Sequence, residues 1–260
     1  MLTWLNRGDP FPALNVALDE PNGLLCASME LNASRVLAAY ERGIFPWYSD
    51  GQPVLWWSPD PRMVLLPNNF KLHRSLRKVL RNAAYELRVD TCFEAVMRAC
   101  AEPRPEQDGT WISEEIIAAY CEIHRAGYAH SVETWVGGEL VGGLYGIALG
   151  RVFFGESMFM RQTDASKIAF AHLVAQLTRW GFELIDCQQE TRHLASFGAS
   201  PISRADFAER LGRLVHSDAL VSRTGTWKFD DDLRVDFVHS AARPESVSSS
   251  SSDEIAKAGS

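Results

Sequence analysis

The sequence predicts a mixed α/β fold of the α+β kind, in which helices pack on a largely antiparallel sheet. Three observations carry this. Residues 131–156 alternate apolar and polar and are broken at Gly137-Gly138 and Gly150, the pattern of a β meander. Residues 164–180 place Phe170, Leu173, Val174 and Leu177 on one stripe and end at Gly181, as an amphipathic helix does. A short apolar run at 182–188 then reads as one more strand.

The other elements follow in chain order. Asn32 is placed to cap a helix over 33–42, which Gly43 stops. The segment 43–62 holds five aromatics (Phe45, Trp47, Tyr48, Trp56, Trp57) and four prolines. Proline cannot donate to a strand ladder, so the segment reads as a stiff loop, with Trp56 and Trp57 packing one unit of the chain onto the next. Residues 63–66 predict a strand, 72–82 a helix and 93–101 another helix, followed by a polar loop over 102–111. Ser113 is a good N-cap for a helix over 114–126, with Glu114 and Glu115 in its first turn, where the helix dipole favours them. Within the meander the strands are 131–136, 139–149 and 151–156. Asp164 or Ser166 caps the helix that follows. From 241 onward the chain is Ser-rich and lacks apolar anchors, which predicts a disordered tail over 241–260.

Composition narrows the function. The chain has 260 residues, with 26 basic and 33 acidic side chains for a net charge of −7. That balance alone argues against a nucleic-acid partner, but it hides a local excess. Between Arg62 and Arg88 there are seven basic residues and one acid, a net of +6. On the 72–82 helix, Arg74, Arg77, Lys78 and Arg81 share one face, with Leu72, Leu76 and Val79 opposite. Such a stripe is often only a solvated face. Concentrated like charge repels itself, however, and a phosphate backbone relieves that repulsion. The five cysteines have irregular spacing with no metal-binding pattern, which predicts reduced thiols and a cytoplasmic protein with no metal. No signal peptide and no membrane span are expected.

Two strand ends carry the chemistry. FELIDCQQ (182–189) places Asp186 and Gln188 on one face by alternation, about 7 Å apart. GESMF (155–159) ends its strand with Glu156. If the two strands are neighbours, two carboxylates line one cleft. Cys187 reads as a small core residue and His193 as structural.

These pieces, in this order, resemble the leucyl/phenylalanyl-tRNA–protein transferase family. The matching stretches are PNGLL (21–25), AAYERGIFPWYS (38–49), LWWSPDPR (55–62), GTWI (109–112), AHSVE (129–133), LVGGLYG (140–146), FFGESMF (153–159), DASK (164–167), LIDCQ (184–188) and HLASFGA (193–199), within 21–207. Ser28-Met29-Glu30 departs from the family's usual Gly-Gly-Asp, Gln189 from an apolar residue and Phe197 from Leu.

The resemblance implies a small N-terminal α/β domain (1–62) followed by a GNAT-like acyltransferase domain (63–240). It implies that Leu or Phe, and in some cases Met, moves from aminoacyl-tRNA to the α-amine of proteins beginning with Arg or Lys, marking them for N-end-rule degradation. The donor ester is already activated, so no cofactor is expected, and the protein is expected to act as a monomer. Asp186 then serves as proton acceptor, directly or through Gln188, and its replacement by Ala is expected to abolish transfer without unfolding. Glu156 binds either the acceptor cation or the terminal adenosine. Tyr40, Trp47, Trp111 and Tyr120 form the adenosine wall. Leu144, Phe153, Phe170, Leu173 and Ile185 hold the amino-acid side chain, although strict alternation sets Phe153 and Ile185 on faces opposite Glu156 and Asp186. Strand splaying or a bulge at Gly155 reconciles them. The basic helix grips acceptor-stem phosphates. Two rivals are weaker. An aromatic binding module leaves Asp186 and Gln188 unexplained. A GNAT-type acetyltransferase using acetyl-CoA wants a glycine-rich loop, and RQTDASK (161–167) has no glycine.

Overall fold

The structure, a computed structural model, describes residues 2–103, 110–216 and 224–233; the tail expected over 241–260 and most of the loop expected over 102–111 lie outside these. The first sheet contains β1 (Thr3–Leu5), β2 (Leu24–Ser28), β3 (Phe45–Pro46) and β4 (Val54–Trp57), in the order β1-β2-β4-β3. β2 is LLCAS and every residue of it is buried, which suits a central strand. Helix α1 (Ala33–Tyr40) connects β2 to β3, and the Asn32 side chain accepts from Arg35 N as expected of its cap.

The aromatic segment is not simply a loop, because it supplies two strands. Pro46 is tolerated because β3 is the sheet's edge, where a missing N–H leaves no ladder bond broken. Trp56 is wholly buried in a core shared by the two sheets, 4.9 Å from the Phe11 ring, and its Nε1–H donates to Ser28 Oγ at 2.9 Å. Trp57 donates from Nε1 to the carbonyl of Trp47 at 2.7 Å and so props that residue.

The second sheet takes β5 (Arg62–Leu65), β6 (Glu86–Val89), β7 (Ala129–Val136), β8 (Glu139–Leu149), β9 (Val152–Met160), β10 (Leu184–Gln188) and β11 (Ser200–Ile202), in the order β11-β5-β10-β9-β8-β7-β6. Its helices are α2 (Arg74–Asn82), α3 (Phe93–Ala101), α4 (Glu114–Arg125), α5 (Ala165–Arg179), α6 (Arg192–Ser196) and α7 (Arg204–Leu214). The meander, helix and following strand stand in the order the sequence predicts. β6, α6, β11 and α7 carry too little periodicity to announce themselves; β6 is a short edge strand, ELRV, with charges at alternate positions.

Two local expectations are corrected. Asp164 stands at the N-cap of α5 with φ 66° and makes no capping bond; its carboxylate holds Lys167 Nζ at 2.7 Å. On α2, Leu76 and Leu80 are the buried residues, so the apolar face is rotated from the one containing Val79.

Two cores flank the second sheet. One gathers Tyr40, Phe93, Ile116, Tyr120, Tyr145, Phe154 and Trp56, so it runs unbroken into the first sheet. The other gathers Leu144, Phe153, Phe170, Leu173 and Ile185 under α5 and α2. The α7 start ties the sheets together, with Arg204 Nη1 donating to Ser58 O at 2.7 Å and its backbone N–H to Asp60 Oδ1 at 3.1 Å.

Two irregularities open the sheet at one place. β9 and β10 are parallel and pair only from Leu184↔Val152 to Asp186↔Phe154. Beyond that register they part. The β8–β9 ladder slips between Gly146↔Gly155 and Tyr145↔Ser157, which leaves Glu156 as the bulged residue. β10 slips against β5 between Asp186 and Gln188, and Gln188 takes a left-handed φ of 60°. A non-glycine residue held there costs of order 1–3 kcal/mol, and such strain clusters at functional sites. Among the described residues, no helix is long and apolar enough to cross a membrane.

Candidate active site

The gap between β9 and β10 is a cavity of about 440 Å³. All five residues expected to hold an amino-acid side chain line it: Leu144, Phe153, Phe170, Leu173 and Ile185. So do Trp47, Trp111, Glu156, Asp186 and Gln188. Strict alternation made this combination look inconsistent. The bulge at Glu156 and the parting of the strands resolve it, because the cavity passes from one face of the sheet to the other.

Glu156 is the hub. The α1 C-terminus delivers Tyr40, whose hydroxyl donates to Glu156 Oε1 at 2.6 Å. Helix α4, capped by Ser113, delivers Tyr120, whose hydroxyl donates to Oε2 at 3.0 Å. Gln188 Nε2 donates to Oε1 at 3.0 Å. Burial above all, with a smaller push from Asp186, outweighs the lowering by the two tyrosine hydroxyls and Arg62 and raises the Glu156 carboxyl to about 7. Burial first and the carboxylate second hold both phenols well above their ordinary range, so they remain donors.

Asp186 has a different setting from the one expected. Its side chain and that of Arg62 are both sealed from water. Arg62 Nε donates to Oδ1 at 2.8 Å and Nη2 to Oδ2 at 2.6 Å, while the Gln188 backbone N–H donates to Oδ1 at 2.9 Å. The guanidinium also lies over the rings of Phe45 (4.8 Å) and Phe207 (4.6 Å). Asp186 therefore holds the Gln188 backbone in place, and the Gln188 carboxamide bonds to Glu156. The expected polarisation of that carboxamide by Asp186 is replaced by polarisation through Glu156.

The aromatic wall divides. Trp47 is 41% exposed and, with Trp111, borders the cavity. Tyr40 and Tyr120 are fully buried with their hydroxyls on Glu156, so neither offers a ring face to a base. Stacking by these two does not fit their burial. The basic helix α2 exposes Arg74, Lys78 and Arg81, with Arg77 partly buried. Among the described residues none of the four is ion-paired. It reaches the cavity rim through His73 Nε2, 2.8 Å from Ser196 O on α6, whose capping Thr191 and whose His193 and Leu194 line the cavity. His193 packs edge-on against Phe197, as a structural residue does. Cys187 lines the cavity as well.

Sequence reasoning missed Arg62 as a site residue, counting it only among basic charges. The available signal was an arginine opening an otherwise apolar strand, RMVL, that is buried at every position.

Residues 64–212 match the model for the leucyl/phenylalanyl-tRNA protein transferase family, and residues 29–60 match its N-terminal domain. The chain belongs to that family. It is an aminoacyltransferase. A leucyl/phenylalanyl-tRNA–protein transferase of Nitrosospira multiformis is 57% identical over 232 residues, covering 89% of this chain and 99% of the relative. One of Cupriavidus necator is 55% identical over 252 residues, covering 94% and 99%. Among solved structures, a GCN5-related N-acetyltransferase from Kribbella flavida is 15% identical with a TM-score of 0.36, over 68% of this chain and 65% of that one.

Two outcomes are expected of the aminoacyltransferase. Asp186→Ala strands the Arg62 guanidinium in the core, so it destabilises the fold by about 3–5 kcal/mol, contrary to the expectation of an intact fold. Urea melts check this, and Asp186→Leu combined with Arg62→Met recovers most of the loss. Glu156, with its folded pKa raised, binds its proton more tightly when folded. Its charging therefore opposes folding as pH rises from the unfolded value near 4.5 through about 7. Glu156→Gln should accordingly be more stable than wild type above pH 7, by roughly 1–3 kcal/mol, with the difference vanishing near pH 4.

Proposed function

We propose that the protein moves a leucyl or phenylalanyl group from its aminoacyl-tRNA to the α-amine of proteins that begin with Arg or Lys. It acts as a cytoplasmic monomer, and the large apolar residue it adds is the mark for N-end-rule degradation. The observation that carries this reading is the junction, in one cavity, of an apolar pocket with a carboxyl whose pKa lies near neutrality. Residues 1–62 contribute the Trp47 wall, and residues 63–240 contribute the pocket and the acid–base groups.

The chemistry is ester aminolysis. The amine nitrogen bonds to the ester carbonyl carbon, the bond from that carbon to the ribose oxygen breaks, and one amine proton passes to the ribose oxygen. The acceptor amine has an ordinary pKa of about 7.7–8.0, so part of it is already neutral. Glu156, poised near 7, takes the proton and returns it to the leaving oxygen, since an acid–base group works best near the operating pH. Gln188 accepts from the amine on its carboxamide oxygen while its Nε2 stays on Glu156, which fixes the approach. Asp186 and Arg62 are positioning residues that hold Gln188. Orientation of this kind supplies roughly 7–11 kcal/mol in favourable cases.

Leu144, Phe153, Phe170, Leu173 and Ile185 receive the Leu or Phe side chain. Trp47 and Trp111 stack the terminal adenosine, an interaction worth about 1–3 kcal/mol per base. Arg74, Lys78 and Arg81, with Arg77 behind them, take acceptor-stem phosphates without reading sequence. The net charge of −7 over the whole chain favours a cationic acceptor terminus at long range, and the segregated basic helix favours the tRNA.

With labelled Leu- or Phe-tRNA and a peptide beginning with Arg, the expected product is that peptide extended by one residue at its N-terminus. Intact charged tRNA and no product with either an Arg or a Lys peptide overturns the reading. Reversing Arg74, Lys78 and Arg81 to Glu should weaken tRNA binding and flatten its dependence on salt concentration, because fewer counterions are released. An unchanged slope places the tRNA on another surface.

A further inference from the structure

We propose that Phe197 sets the depth of the apolar pocket by fixing the ring of Phe170, and through it the relative rates at which leucyl and phenylalanyl groups are transferred. The proposal rests on the aminoacyl-transfer reading, in which that pocket holds the transferred side chain, and it names what sets the pocket's size. Two aromatic rings wall the pocket, Phe153 and Phe170. They are backed differently. Phe153 lies against main chain: a Cβ on Gly146 would fall 2.5 Å from its Cζ, so the ring sits directly on β8. There β8 is paired on both sides, to His130 of β7 and Gly155 of β9, so this wall does not give.

Phe170, on α5, leans instead on side chains. Its ring meets that of Phe197 at 5.5 Å, tilted by 56°, and that of Phe70 edge-on at 5.8 Å. Phe70 and Phe197 stack on each other at 5.5 Å. Aromatic pairs prefer such offset and edge-to-face arrangements, which hold each ring in place. Phe197 is buried behind the residues that line the cavity. It also backs a second of them, His193, edge-on at 4.9 Å.

The backbone at Phe197 has little freedom of its own. Its N–H donates to Leu194 O at 3.0 Å, and its carbonyl accepts from the Lys71 N–H at 2.9 Å. Gly198 follows with a left-handed φ of 97°, and a Cβ there would lie 2.4 Å from Asn69 O. The turn that carries Phe197 is thus clamped against the segment that carries Phe70. With the backbone fixed, the size of the side chain at 197 sets how far the Phe170 ring can be pushed back. A phenylalanyl side chain is longer than a leucyl one, so it depends more on that last stretch of depth. In an apolar pocket one methylene of space is worth roughly 10–200-fold in discrimination. Phe197 is therefore a positioning residue that governs specificity through Phe170.

The test measures kcat/KM for labelled Leu-tRNA and Phe-tRNA with one peptide that begins with Arg. The ratio of the two cancels the fraction of folded enzyme, so a merely structural role for Phe197 leaves it unmoved. Phe197→Leu should raise the Phe-to-Leu ratio about tenfold. Phe197→Trp, which pushes the Phe170 ring inward, should lower it. In a Phe170→Leu background, where the wall is already set back, Phe197→Leu should change the ratio by less than about twofold, because the two side chains act as one unit. An unchanged ratio in Phe197→Leu, or an equal shift with and without Phe170, overturns the proposal. If the wild-type protein transfers neither residue, the transfer reading fails and the proposal with it. If it transfers both and the ratio stays fixed across the variants, the proposal fails alone.

Discussion

Arg62 and Asp186 are both sealed from water and meet through a fork of two hydrogen bonds. The pair links two strands that lie far apart in the sequence. Arg62 opens β5 just after the aromatic segment, Asp186 lies near the end of β10, and the Gln188 backbone hangs from the same carboxylate. Phe45 and Phe207 close over the guanidinium from the first sheet and from α7. One buried charge pair thus helps shape the candidate site, beside the Arg204 contacts that tie the two sheets.

The pair also separates two carboxylates by role. Asp186 has a guanidinium fork to itself. Glu156 has only neutral donors in direct contact, two phenols and a carboxamide, and burial outweighs them enough to bring its pKa to about 7. One carboxylate is a structural anchor and the other can exchange a proton at neutral pH. Removing the anchor disturbs both, because Gln188 would lose its backbone tether and Glu156 one of its donors.

The opening in the sheet has the same economy. A fully paired β9 and β10 would close the cavity. The bulge turns Glu156 into the gap, and the left-handed Gln188 turns β10 away from β9. The apolar pocket on the α5 face and the polar cluster on the α1–α4 face then share one space, which a regular sheet keeps apart. Trp57 under Trp47 fixes one wall of that space at the edge of the first sheet.

Local sequence determined the long elements. Caps at Asn32 and Ser113, the stripe on α5 and the glycines of the meander fix their own structure within a few residues, because the forces involved are short in range. The five apolar pocket residues were legible through the resemblance, and so were Glu156, Asp186 and Gln188 as a set. Only the tertiary structure decided what each touches. That Asp186 is held by Arg62 depends on a contact across 124 positions, and that Tyr40 and Tyr120 point inward to Glu156 depends on helices α1 and α4 meeting over β9. Period-2 alternation placed Phe153 and Glu156 on opposite faces and was right for a regular strand. A bulge inserts one residue and breaks that count, and its position is set by packing against the neighbouring strand, which no local pattern records.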